Sequence, residues 1–233
     1  MSDNDIVIHV FVGKNKLKKE EIAKRVLTAM LKSGLHFYNV IEKKDGKSDM
    51  TIDEAVKRLC SGERHGTFVV GKHVMLSTDY AVLFLFIYDH NGKYYNVHYS
   101  VPKSPLNARM QVLDNEDPKV AGPVLKEFYG RARLLLNTTK SIMDSLGDLA
   151  VFAVGDDVLY LKEANFEPLQ NFLQTLETFG GDKKYWLEIY SNELLGKVKF
   201  VNSRKSEKLE NGVFLLASPL PYTCQPKGIN LGD

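Results

Sequence analysis

An α+β fold, with a mixed or antiparallel sheet and helices packed mainly on one face, is what this sequence predicts. Three patterns carry that expectation. Residues 81–102, "AVLFLFIYDHNGKYYNVHYSVP", read as two strands around an Asn-Gly turn. Residues 18–34, "KKEEIAKRVLTAMLKSG", set Ile22, Val26, Leu27, Met30 and Leu31 on one helical stripe, with Gly34 placed to end it. Strand-like and helix-like segments alternate in the first half, and hairpins mix with helices in the second.

The elements follow in order. Residues 6–12 alternate as a strand, and the helix ending at Gly34 comes next. "LHFYNVIEK" returns as a strand. Thr51 and Glu54 then form a Thr-x-x-Glu capping box for a helix over 52–61 that buries Ala55, Val56, Leu59 and Cys60. "GTFVVGKHVML" is a further strand or tight hairpin, with His65 in the turn before it.

In the hairpin, a two-residue turn at Asn91-Gly92 opposes Tyr88 to Tyr95, Phe86 to Val97 and Phe84 to Tyr99, an aromatic face that must be core. The other face sets Leu83, Leu85 and Ile87 opposite Ser100, His98 and Asn96, which makes the first strand central. This register separates His90 from His98. Asp89, Tyr94, Asn96 and His98 cluster near the tip as a contact surface.

Residues 102–117 read as an irregular connection, and a long helix runs from Pro123 to near Leu146. "LAVFAVGDDVLYLK" is a second hairpin with Gly155-Asp156-Asp157 at its tip. Phe166–Phe179 is amphipathic and ends at Gly180-Gly181. "KKYWLEIYSNELLG" is helical or irregular, "KVKFV" and "GVFLLAS" are closing strands, and residues 223–233 form a tail. The whole is one α+β domain over 1–233, divisible into lobes 1–113 and 118–222.

Bulk properties narrow the function classes. Of 233 residues, 44% are hydrophobic, which suits a large buried core. Thirty-one basic residues against 29 acidic ones leave a charge of only +2, without the basic stripe of a nucleic-acid binder. The Lys-rich stretches Lys14–Lys19, Lys43–Lys47 and Lys197–Lys208 are broken by other residues and read as solvated faces. Two cysteines, an acidic start and no apolar run of about 20 residues point to a cytoplasmic protein that neither crosses nor binds membranes.

Catalytic signatures fail one by one. Gly66 to Lys72 has the spacing of a phosphate loop, but its interior, Thr-Phe-Val-Val, is strand material and no helix follows. Cys60, His65 and His73 lack zinc-ligand spacing. Asp156 and Asp157 on a tight turn could hold a divalent metal if a third acid such as Asp89 joined them, giving a small phosphoryl-transfer enzyme. A structural or assembly subunit of a mobile element is another alternative.

The last hundred residues carry a resemblance. A long helix and an amphipathic helix ending in Gly-Gly lead to Trp186-Leu187, then Leu194-Leu195-Gly196. A Gly-Val-x-Leu-x-Ala strand, residues 212–217, is capped by Pro219 and Pro221. This ending resembles that of bacterial immunity proteins, which protect cells against toxins of type VI secretion and related polymorphic systems. The resemblance implies a non-enzymatic protein without cofactor that blocks a cognate toxin by binding it. On that reading Tyr94, Asn96, His98, Tyr185 and Tyr190 are exposed partner contacts and Trp186 is core.

Overall fold

The computed structural model describes residues 5–14, 17–39, 47–61, 63–65, 68–70, 73–90, 94–113, 117–157, 185–195 and 205–226. The fold is α+β, built on a nine-stranded antiparallel sheet. Its strands are Asp5–Gly13 (β1), His36–Phe37 (β2), Val74–Ser77 (β5), Val82–His90 (β6), Tyr94–Pro102 (β7), Ala150–Asp157 (β8), Leu187–Ser191 (β9), Lys205–Leu209 (β10) and Gly212–Leu216 (β11). Across the sheet they lie in the order β10-β11-β9-β8-β1-β7-β6-β5-β2. Glu63–His65 (β3) and Phe68–Val70 (β4) form a separate two-stranded ribbon. β1 joins the halves, pairing with β7 on one side and β8 on the other.

Helices Lys19–Lys32 (α1), Ile52–Cys60 (α2) and Pro118–Leu146 (α4) pack on one face of the sheet; Arg109–Leu113 (α3) precedes α4 and Asn192–Leu195 (α5) follows β9. The helix-covered face takes Ile6, Ile8, Val10 and Val12 from β1, Val97, Tyr99 and Val101 from β7, and Leu83, Leu85 and Ile87 from β6. Against them lie Ile22, Val26 and Leu27 of α1, Ala55 of α2 and Phe128, Leu135 and Ile142 of α4. Burying a side chain of this size contributes about 1.5–3 kcal/mol.

Several ends are set by local chemistry visible in the sequence. The Glu54 amide donates to Thr51 Oγ1 at 3.2 Å, and the Thr51 amide donates to the Glu54 carboxylate at 2.7 Å. α1 stops where Gly34 takes φ +94°, which a Cβ would strain. α4 begins at Pro118, earlier than expected, because Asp117 caps it through the Lys119 amide. Pro123 therefore lies inside the helix, removing one backbone bond in an exposed turn.

The hairpin register differs from the expected one. Three residues, 91–93, separate His90 from Tyr94, so Tyr88 pairs with Asn96, Phe86 with His98 and Phe84 with Ser100. A one-residue slip turns every side chain of β7 to the other face. The observed pairing sets Leu85 beside Tyr99 and Ile87 beside Val97, an all-apolar set that the helices cover. Placing Asn96, His98 and Ser100 under those helices would have buried polar groups in the main core. His90 pairs with Tyr94 and His98 with Phe86, so the register that was expected to separate the two histidines does not hold.

Other expectations are corrected too. Leu187–Ser191 is a strand buried along its whole length, since it lies inside the sheet and both faces are covered. Gly155, Asp156 and Asp157 lie in β8 opposite Ile8, Val7 and Ile6, not at a hairpin tip. At Gly155 a Cβ would stand 2.9 Å from Leu187 and 3.0 Å from Ile8, so packing requires the glycine. Gly212 is tighter still: its Cβ would meet the Tyr190 carbonyl oxygen at 2.1 Å. His65 ends a strand instead of occupying a turn, and Cys60 is only half buried. Part of the expected tail is core: Cys224 is fully buried, its carbonyl accepts from the Ala108 amide, and Arg109 Nε donates to the Gln225 carbonyl. The expected helix over 166–179 and strand over 197–201 lie outside the described residues. No helix among the described residues is long and apolar enough to cross a membrane.

Candidate functional site

The sheet's second face is made of the alternate residues, and it has a different chemistry. One row across it runs Leu215, Glu188, Val154, His9, His98 and Phe86, in register from β11 to β6. The next runs Val213, Tyr190, Phe152, Phe11, Asn96 and Tyr88. Polar and aromatic side chains thus meet across the middle of the sheet. His9, Asn96, His98, Ser100 and Glu188 are all buried there.

Hydrogen bonds fix most of these groups. The Asn96 carboxamide nitrogen donates to His9 Nδ1 at 2.9 Å and to Tyr88 Oη at 2.8 Å. His9 Nδ1 also lies 3.3 Å from the Asn96 carboxamide oxygen. Tyr190 Oη donates to the Glu188 carboxylate at 3.0 Å. His98 is the exception. Its Nε2 is buried and has no hydrogen-bond partner among the described residues, and its ring lies 4.6 Å from that of His9 and 5.5 Å from Phe86, centroid to centroid. Burial, with the His9 ring alongside, holds the His98 imidazole well below its ordinary range, so it is neutral.

Toward β5 and β6 the cover thins. His73, Met75, Phe84, Phe86, Tyr88 and Tyr94 are each only half buried. Met75 pairs with Phe84, and the His73 ring lies 5.4 Å from Phe84 and 5.5 Å from Phe86. The result is a partly accessible strip of aromatic rings and one thioether beside a buried polar row. Aromatic and methionine side chains are the ones enriched where proteins meet.

The five residues expected to contact a partner all fall on this face. Asn96 and His98 stand in its central rows, while Tyr94, Tyr185 and Tyr190 belong to its apolar cluster. Their exposure is corrected: Asn96, His98, Tyr185 and Tyr190 are buried, and Tyr94 alone is half accessible. Trp186 is fully buried, and its Nε1 donates to the Ser218 carbonyl at 3.0 Å. The sequence reading missed His9, Phe11, Glu188, His73 and Met75. The alternation of Val7, His9 and Phe11 against Ile6, Ile8 and Val10 was the available signal.

The carboxylates proposed for a metal do not converge. Asp89 pairs with Tyr95, which pairs with Val12, whereas Asp156 and Asp157 pair with Val7 and Ile6. Five residues along β1 and three strand spacings separate them by roughly 20 Å, far beyond a shared ion. Asp89 instead forms an ion pair with Lys14. Among the described residues, no group of three or more His, Cys, Asp or Glu could hold a metal ion.

No family model matches the sequence, and no curated protein matches it. Among solved structures, a Pseudomonas aeruginosa T6SS protein is similar over 94% of this chain and 66% of its own, at 10% identity and a TM-score of 0.39.

Proposed function

We propose that this chain is a cytoplasmic binding protein of the immunity or antitoxin type, which blocks a cognate toxin through the second face of its sheet. The observation that carries this reading is the strip of His73, Met75, Phe84, Phe86, Tyr88 and Tyr94, half buried on a nine-stranded scaffold. Rings held by a rigid sheet lose little conformational freedom on docking and supply the large contact areas of interface anchors.

The C-terminal residues that resemble immunity proteins support the same reading. Trp186, β9, α5 and β11 pack together, with Trp186 tied to Ser218 just before the proline turn. They form scaffold, so the toxin contact belongs to the strip and not to the motif. The rival phosphoryl-transfer reading loses its premise because Asp89 lies three strands away from Asp156 and Asp157.

The test is co-expression with the product of each neighbouring gene. The expected result is a complex that co-purifies and a rescue of growth when that product is toxic. A Phe86→Ser/Tyr88→Ser variant that remains folded should lose both. A chain that neither binds nor protects against any such product ends the proposal.

A further inference from the structure

At one end of the sheet lies a cleft of about 540 Å³, lined by residues that include His36, Tyr38, Ser77, Asp79, Tyr80 and Pro105. That volume suits a small ligand. His36 and Ser77 are cross-strand partners in the β2–β5 pair, so their side chains leave the sheet on the same side. Ser77 Oγ and His36 Nε2 are 2.8 Å apart, the reach that a nucleophilic hydroxyl and its base require.

The surroundings hold this pair in place. Thr78 Oγ1 accepts from the Tyr80 and Ala81 amides, at 3.3 and 3.1 Å, and so fixes the turn that follows Ser77. Tyr80 Oη donates to the Arg131 carbonyl at 2.8 Å, anchoring that wall to α4. Ser77 itself is 4% exposed, while His36 is half buried. Many serine–histidine bonds between strands are only structural. This one stands in the wall of an open cleft, where the hydroxyl is nearly covered and the imidazole stays half accessible.

We propose that Ser77, with His36 as its base, is a nucleophile for acyl transfer from an ester bound in this cleft. Ser77 Oγ attacks the ester carbonyl and its proton passes to His36 Nε2. The bond to the alcohol breaks as His36 returns that proton to the departing oxygen, leaving an acyl-serine. Water then attacks the acyl-serine by the same path, releasing the acid and restoring the hydroxyl. None of these steps depends on a toxin partner.

The experiment treats the full-length protein with a fluorophosphonate probe, followed by intact mass and peptide mapping. Attack by Oγ would displace fluoride and leave one phosphonyl adduct on Ser77. Ser77→Ala should abolish that adduct, and His36→Ala should slow its formation about a hundredfold. Circular dichroism and a thermal melt establish that each variant is folded. If either is not, the wild-type protein decides alone: no adduct on Ser77 overturns the proposal. So does equal labelling of a folded His36→Ala variant.

Discussion

The two faces of one sheet are built from alternate residues of the same strands, yet they differ in kind. The helix-covered face is apolar from Ile6 to Val101, and Tyr99 Oη and Thr139 Oγ1, deep on that side, satisfy each other at 2.5 Å. The second face buries His9, Asn96, His98 and Glu188, leaves His98 Nε2 without a partner among the described residues, and ends in a half-accessible aromatic strip. Strand alternation lets one segment serve two ends, stability on one side and recognition on the other. The comparison teaches that a polar residue in a strand is no sign of exposure: His9 and His98 are about as well covered as the leucines behind them.

The difference predicts how each face responds to substitution. The largest effect belongs to the helix side. Phe128→Ala should cost about 3–5 kcal/mol in a urea melt, because a large cavity opens under α4. A loss below about 1 kcal/mol would mean that the two faces carry stability equally.

Next comes His98. Its folded-state pKa is depressed and its unfolded value is near 6.5, so acid favours the unfolded chain, which takes up the proton. Stability should be unaffected by this group above about pH 6.5. Below that it should fall by about 1.4 kcal/mol per pH unit, down to the depressed pKa. His98→Leu removes this slope and leaves stability at pH 7.5 unchanged or higher, since an unpartnered polar atom is replaced by an apolar one. Urea melts of both proteins at pH 7.5 and 5.5 read the effect directly, and parallel behaviour would refute it.

Thr51→Ala tests the helix side at its margin. Losing the cap of α2 should cost about 1 kcal/mol. The smallest effect on stability is expected at the strip. Phe86→Ala, half accessible as it is, should change the midpoint by less than about 1 kcal/mol while weakening partner capture in a pull-down. The reverse outcome, a large loss of stability with capture intact, would make the strip part of the core.

Legibility in the sequence followed the range of the forces involved. The capping box at Thr51, the end of α1 at Gly34 and the strand Gly212–Leu216 rest on neighbours a few residues apart, and all three appear in the structure as read. The register of the 81–102 hairpin did not emerge, because Asn91-Gly92 signals a two-residue turn while the long-range demand of the helices for Leu85, Ile87, Val97 and Tyr99 selects another pairing. β9 was missed because burial on both faces erases the alternation by which a strand is recognised. The face holding the candidate site could be reached through Tyr94, Asn96 and His98, but its burial could not, since cover comes from residues distant in the chain.

The position of β1 in the middle of the sheet has a consequence for biogenesis. Its partners are synthesised much later; His9 meets Asn96 across 87 positions, and β8 lies further on again. Until those segments emerge from the ribosome, β1 has two open edges and a sticky apolar flank, a hazard for intermolecular pairing. Such distant closure makes for slow folding. The nascent chain should therefore lean on chaperones, and truncations ending before Ala150 should accumulate as insoluble aggregates, a result that a soluble-yield assay would reveal at once.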